Sequence, residues 1–224
     1  MKFPRILLLP IAGISIANMP IIGCAQQRDF EAEAQTPRII QTQNQIQNPT
    51  PAAPIPPQRR IGEVPFVPTP QPVVNAMLEL AKVNSNDVLY DLGSGDGRIP
   101  ITAAQKYNVR RATGIEINPE LVRRSQVNAQ QANVGDRVQF YQQDLFDADL
   151  SNATVVTLYL LADVNLRLRP KLLRELKPGT RVVSHNYAMG DWKPERVVQV
   201  ESTGGRRHTI YYWVVPETVP ANLR

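Results

Sequence analysis

The chain has one cysteine, two histidines and only 6% aromatic residues among its 224 positions. A single thiol forms no internal disulfide and anchors no cysteine zinc cluster, so the chemistry is built without cysteine pairs. Long apolar runs are also missing. The stretch Ile6 to Ile22 is broken by Pro10, Gly13, Asn18 and Pro20, which makes it a poor membrane-spanning helix. From Ala25 to Arg60 large apolar side chains almost vanish in favour of Gln, Asn, Pro and Thr. Such a segment cannot bury enough surface to offset the entropy of ordering. The net charge is +5, but the arginine pairs Arg59-Arg60, Arg110-Arg111, Arg123-Arg124 and Arg206-Arg207 are scattered and carry no interleaved aromatics. No nucleic-acid motif accompanies them, so no nucleic-acid partner is expected.

These absences divide the chain into three regions. Residues 1–24 read as an export signal, with Lys2 and Arg5 ahead of a short apolar core. Cys24 directly follows Ile21-Ile22-Gly23 and resembles the lipidated cysteine of bacterial lipoproteins. Residues 25–60 read as a Gln- and Pro-rich tether, and Pro49 to Pro57 favours extended polyproline II at about 3.1 Å per residue. Residues 61–224 carry the globular domain. The expected location is therefore outside the cytoplasm, anchored to a membrane through Cys24, with the positive charge favouring an anionic surface. No twin-arginine pair precedes the apolar core to carry a folded chain across.

What the third region contains is an alternation of strand-like and helix-like segments, which argues for an α/β domain with a parallel sheet. Strands are expected at Val88 to Asp91, Ala112 to Ile117, Val138 to Tyr141, Thr154 to Leu160 and Arg181 to Ser184. Thr69 is placed to cap a first helix from Pro70 to Lys82, and a second helix is expected up to Tyr107. Asn118-Pro119-Glu120 has the residues of a third helix start. A fourth helix, Val164 to Leu176, should stop at Lys177-Pro178-Gly179. Val197 to Val200 and Thr209 to Val215 flank Ser202-Thr203-Gly204-Gly205 as an antiparallel hairpin.

The loop after the first strand, Asp91-Leu92-Gly93-Ser94-Gly95-Asp96-Gly97-Arg98, carries the chemistry. Glycines let the backbone approach a ligand, and Glu116 at the end of the next strand can accept from ribose hydroxyls. A dinucleotide site would place a third glycine at Arg98, and Asp91 and Asp96 would repel a pyrophosphate. The same acids suit an ammonium and a sulfonium, which S-adenosylmethionine carries. A solvated strand-to-helix turn without ligand is the alternative, and it leaves the spacing to Glu116 to be explained separately.

With these motifs, and with Val138 to Phe146 as the third strand together with the acid that follows it, Asp144, the chain resembles the class I S-adenosylmethionine-dependent methyltransferases. Pro65-Phe66-Val67-Pro68-Thr69-Pro70, Gly114-Ile115-Glu116-Ile117-Asn118-Pro119, Leu158-Tyr159-Leu160-Leu161 and Arg181-Val182-Val183-Ser184-His185 are most similar to its small protein-lysine methyltransferase group. That group includes enzymes acting on the ATP synthase c subunit and, more distantly, non-SET histone lysine methyltransferases. Ala162-Asp163 stands where the group would carry a Pro-acid pair. The resemblance implies a Rossmann-like, seven-stranded, mostly parallel sheet with helices on both faces and an antiparallel C-terminal hairpin. It also implies that Asp91, Gly93, Ser94, Gly95 and Glu116 hold S-adenosylmethionine, with Asp144 facing the adenine amino group.

Methyl transfer from a sulfonium mainly requires that the nucleophile be held in line, without an obligatory acid–base pair. Tyr159 and Asp163 are the candidates for guiding an incoming lysine amine, although Tyr159 also suits a core aromatic and Asp163 a helix cap. His185 and Asn186 are candidates for substrate contact or for structural hydrogen bonding, and Asp191-Trp192 for the cleft wall or the core edge. Three readings remain open at this point: a tethered protein-lysine methyltransferase, a small-molecule methyltransferase, and a non-catalytic extracytoplasmic module on the same fold.

Overall fold

The computed structural model describes residues 39–40 and 66–223, all within the compact unit Thr36–Arg224. The expected signal, Cys24 and the polyproline stretch lie outside the described residues, as does the tether apart from Ile39–Ile40. Among the described residues no helix is long and apolar enough to cross a membrane.

Seven strands make the body of one sheet: β1 (Val88–Leu92), β2 (Arg111–Glu116), β3 (Val138–Gln142), β4 (Val155–Leu158), β5 (Arg181–His185), β6 (Arg196–Glu201) and β7 (Arg207–Val214). They lie in the order β6-β7-β5-β4-β1-β2-β3, and the two-residue strand Ile39–Ile40 pairs antiparallel to β6 at the outer edge. The pairs among β1 to β5 are parallel, and β7 runs antiparallel to β5 and β6. The expected sheet and hairpin are thus both present. β4 is shorter than expected, so Tyr159 and Leu160 lie just beyond its end.

Helices α1 (Gln71–Leu80), α2 (Arg98–Tyr107) and α3 (Pro119–Gln131) contribute to one core, and α4 (Ala162–Glu175) to another. The alternation of the strands divides them between the two: Leu89, Ala112, Val155 and Val183 belong to the first core, and Leu92, Ile115, Val156 and Val182 to the second. Each buried aliphatic side chain contributes about 1.5–3 kcal/mol of hydrophobic free energy, so both faces are firmly covered.

Asn118 caps α3 as expected, its side chain accepting from the Glu120 and Leu121 N–H groups, with Pro119 in the first turn. Two other expected caps are not made. Pro70 occupies the N-cap of α1, and Thr69 instead bonds His185. Leu161 occupies the N-cap of α4 without a side-chain bond, leaving Asp163 inside the first turn, where a carboxylate favours the helix dipole.

Candidate active site

Parallel strands present their carboxyl ends on one edge of the sheet, and the loops leaving β1, β2 and β4 meet there around a cavity of about 510 Å³. That volume lies within the usual range for a small-molecule site. The β1 loop is fixed to β2 through its backbone: the Gly93 and Ser94 N–H groups both donate to the Ile115 carbonyl, at 2.8 and 3.0 Å. Glu116 fastens the same loop from its side chain. Its Oε2 accepts from Gly95 N–H at 2.9 Å and its Oε1 from Asn118 N–H at 2.9 Å. Each carboxylate oxygen retains a further lone pair, so ribose hydroxyls can still be bound.

Gly95 adopts a positive φ of 54°, and a Cβ there would sit 2.8 Å from Phe66 Cδ2. The Phe66 ring therefore lies directly over the glycine loop, which a side chain at position 95 would prevent.

Asp91 ends up buried because its β1 position is opposite Thr157 of β4 in the parallel register. Thr157 Oγ1 donates to Asp91 Oδ1 at 2.7 Å. Burial, opposed by that hydrogen bond and reinforced by the nearby Glu116 and Asp96 charges, raises the Asp91 carboxyl to about 7. A carboxylate strained in this way gains from a cationic ligand group.

Asp96 has a different role from the one expected. It is paired with Arg98, at 2.6 Å between Arg98 Nη2 and Asp96 Oδ2, so its charge is already matched. Arg98 Nη1 also donates to the Thr69 carbonyl at 2.9 Å, which ties the strap before α1 to the loop. The sequence offered both acids for the ligand cation; the geometry leaves Asp91 as the unmatched one.

Asp91, Gly93, Ser94, Glu116, Asp144 and Tyr159 all line the cavity. The Ser94 hydroxyl is buried without a hydrogen-bond partner. Asp144 Oδ1 accepts from Phe146 N–H at 2.9 Å, which holds the β3 loop in place. Gly95 is not among the lining residues and acts through the backbone that the Glu116 bond fixes. Asp163 is also outside the lining. The helix turn carries it away, and Val164 and Arg167 face the cavity instead.

Tyr159 lies against His185 with ring centroids 3.8 Å apart, and its hydroxyl is raised by burial and by Tyr187. His185 itself is fully buried. Asn186 Oδ1 accepts from Thr209 N–H at 3.0 Å, binding β5 to β7 rather than projecting freely into the cleft. Trp192 is buried against Trp213, whose Nε1 donates to the Trp192 carbonyl at 2.7 Å, so it belongs to the core edge. Thr69, Phe66 and Arg167 are lining residues to which the sequence pattern gave no place in the site, because their approach depends on long-range packing.

The residues present fit S-adenosylmethionine: an unmatched buried carboxylate, an acid whose bonds leave room for ribose, a backbone loop open to close approach and a partnerless hydroxyl.

Comparison with known proteins agrees with this geometry. The family described as the ANTKMT methyltransferase domain matches residues 91–196. A protein-lysine N-methyltransferase of Saccharolobus islandicus (strain REY15A) is 50% identical over 157 residues, covering 70% of this chain and 97% of that protein. The adenine nucleotide translocase lysine N-methyltransferase of Mus musculus is 35% identical over 136 residues, 61% of this chain. The match spans only 58% of that mouse protein's length. Among solved structures, an RNA methyltransferase from Salinibacter ruber in complex with S-adenosyl-L-homocysteine is 56% identical with a TM-score of 0.65. That match covers 70% of this chain and 99% of the other.

Proposed function

The chain belongs to the S-adenosylmethionine-dependent protein-lysine N-methyltransferase family, and we propose that its methyl acceptor is a lysine side chain of a protein. The observation that carries this reading is the 50% identity to a protein-lysine N-methyltransferase over 97% of that protein's length.

S-adenosylmethionine supplies a methyl group already activated by a sulfonium. In this reading the Asp91 carboxylate meets the ammonium of the donor, Glu116 accepts from its ribose hydroxyls, and Asp144 faces its adenine amino group. Gly93 and Gly95 shape the loop, and Ser94 offers its unpartnered hydroxyl. Tyr159 and Leu160, beyond β4, form part of the wall along which an amine reaches the methyl. Orientation and exclusion of water then supply most of the acceleration. Asp163, turned away from the cavity, acts at most at its approaches.

A second reading, methylation of RNA, is favoured by the description of the Salinibacter ruber relative. The distribution of positive charge speaks against it. Arg110 and Arg111 stand at the amino end of β2, opposite the cavity, and Arg123 is paired with Glu120 on α3. Of the two arginines lining the cavity, Arg98 is matched by Asp96 and Arg167 lies over the Phe146 ring.

Transfer of labelled methyl from S-adenosylmethionine to envelope and membrane proteins, total RNA and a small-molecule extract, assayed side by side, tests the acceptor. Label recovered as methyl-lysine in the protein fraction is expected. Label confined to RNA or to the extract would overturn the lysine reading. We also propose, from the pattern around Cys24, that the chain is exported and held at a membrane by lipid on that cysteine.

A further inference from the structure

Both histidines of the chain stand in one buried hydrogen-bonded line that begins at the cavity wall. Thr69 Oγ1 is 3.2 Å from His185 Nδ1, His185 Nε2 is 2.8 Å from His208 Nδ1, and His208 Nε2 is 2.9 Å from Ser202 Oγ. Ser202 Oγ is in turn 3.3 Å from the Arg206 carbonyl oxygen. The line runs from the strap before α1, through the end of β5 and the start of β7, to the β6–β7 turn. All four side chains belong to buried residues, and Thr69 also lines the cavity.

The charge state of the two rings limits what this line can be. Burial, with the adjoining His208 ring, pulls His185 down to about 3, and burial together with Arg206 lowers His208. Tyr159, packed on the His185 ring, and Tyr187 beyond it complete the titratable surroundings. Both imidazoles are therefore neutral near pH 7, and each donates from one nitrogen while accepting at the other.

A line of two hydroxyls and two neutral imidazoles has only two polarities. A carbonyl oxygen only accepts, so when Ser202 donates to Arg206, His208 Nε2–H must donate to Ser202 and His185 Nε2–H to His208. Thr69 O–H then donates to His185 Nδ1. The reverse polarity makes one hydrogen bond fewer, because the Arg206 carbonyl no longer receives the Ser202 hydroxyl.

We infer that this Thr69–His185–His208–Ser202 line fixes the Thr69 hydroxyl as a donor to His185 and leaves its oxygen to the cavity purely as an acceptor. It thereby selects a methyl acceptor whose nucleophile bears N–H. The identification of that nucleophile as a lysine amine rests on the reading above. Thr69 touches the incoming amine, while His185, His208 and Ser202 are positioning residues that act through it. A hydroxyl oxygen held as acceptor steers an N–H and directs the nitrogen lone pair elsewhere, which in-line attack on a methyl requires.

The test has two arms. In the first, ¹⁵N-histidine NMR of the full chain with S-adenosylhomocysteine reads the rings directly, and with two histidines in the chain the signals are few. Both rings are expected as Nε2–H tautomers that stay neutral near pH 7, with His185 protonating only near pH 3 and His208 below its ordinary value. An Nδ1–H tautomer at either ring, or protonation of either near its ordinary value, overturns the inference. This arm needs no methyl acceptor, so it is unaffected if lysine is the wrong choice.

In the second arm, methyl transfer to the envelope protein fraction is compared across variants. Thr69→Val should lower kcat/KM roughly tenfold, one hydrogen bond's worth, and Thr69→Ser should rescue it. Ser202→Ala, remote from the cavity, should lower it roughly threefold, with S-adenosylhomocysteine affinity changed by less than about twofold. Unchanged kcat/KM in both Thr69→Val and Ser202→Ala would assign the line to stability alone and overturn the inference.

Discussion

Glu116 holds Gly95 across 21 residues of sequence, its Oε2 accepting the glycine N–H at 2.9 Å while its Oε1 takes Asn118 N–H at the same distance. One carboxylate thus sets both the glycine loop and the start of α3, the two walls between which a nucleoside fits. Glu116→Ala removes the ribose acceptor and frees both backbone donors. S-adenosylmethionine affinity is expected to fall about ten- to a hundredfold, as for one or two hydrogen bonds to a charged group. Calorimetric titration measures it, and an unchanged affinity would show that Glu116 serves the loop alone.

Phe140 fills the space that two glycines leave. A Cβ on Gly114 would overlap the Phe140 ring and approach Ser94 Oγ to 2.6 Å, and one on Gly97 would meet Phe140 Cε1 and Ser125 Cβ at 2.8 Å. Close packing of loop and sheet, which dinucleotide folds obtain from a third loop glycine, comes here from Gly97 and Gly114 around one aromatic ring. Gly114→Ala should destabilise the domain by about 1–3 kcal/mol, the usual cost of overpacking. Phe140→Leu introduced beside it should recover part of that loss. Urea unfolding of the single and double variants measures the coupling, and simple additivity would place the strain elsewhere.

The sheet and its hairpin were legible because each strand is a short apolar run bounded by Gly, Pro, Asn or Asp. Asp91 and Glu116 were legible from their spacing along alternating strands and helices, and Ser94 and Asp144 from the resemblance to class I methyltransferases; all four line one cavity. Thr69 and Asp163 were not legible in this way. Both have the chemistry of a helix cap, but Thr69 is drawn to His185, 116 positions away, and Asp163 falls two residues past the cap position Leu161, too far into α4 to cap it. The histidine line has no local signature: His185 and His208 are 23 residues apart and meet only because β5 and β7 are antiparallel neighbours. Asp96 and Arg98 are adjacent enough to be read as a pair, and the competing appeal of Asp96 as a ligand acid hid it.

The proposed lipid on Cys24 makes a direct prediction about location. With the full chain expressed in a bacterial host, Cys24→Ser should abolish incorporation of a fatty-acid probe and shift the protein out of the membrane fraction or leave it as uncleaved precursor. Equal labelling of both forms would exclude Cys24 as the anchor. Positive charge alone would then have to account for any membrane association, and that association would weaken as salt is raised.

Asp91 couples cofactor binding and stability to pH. Its carboxyl is raised from 3.8 to about 7 in the fold, so the unfolded chain releases this proton more readily. The stabilising contribution is complete below the unfolded value and is lost as pH rises through about 7. His185 acts in the opposite sense: lowered from 6.5 to about 3, it contributes stability above 6.5 that is lost as pH falls through about 3. The two slopes oppose each other between about pH 4 and pH 6.5. Asp91→Asn retains an oxygen for Thr157 but removes the first slope, so its stability relative to wild type should rise steadily between about pH 4 and pH 7 in chemical denaturation. An ammonium beside Asp91 favours the ionised carboxylate, so wild-type affinity for S-adenosylmethionine should increase up to about pH 7 with release of a proton. The Asn variant should bind more weakly and lose that dependence. Calorimetry in buffers of different ionisation enthalpy counts the proton, and equal release by both proteins would mean that another group meets the ammonium.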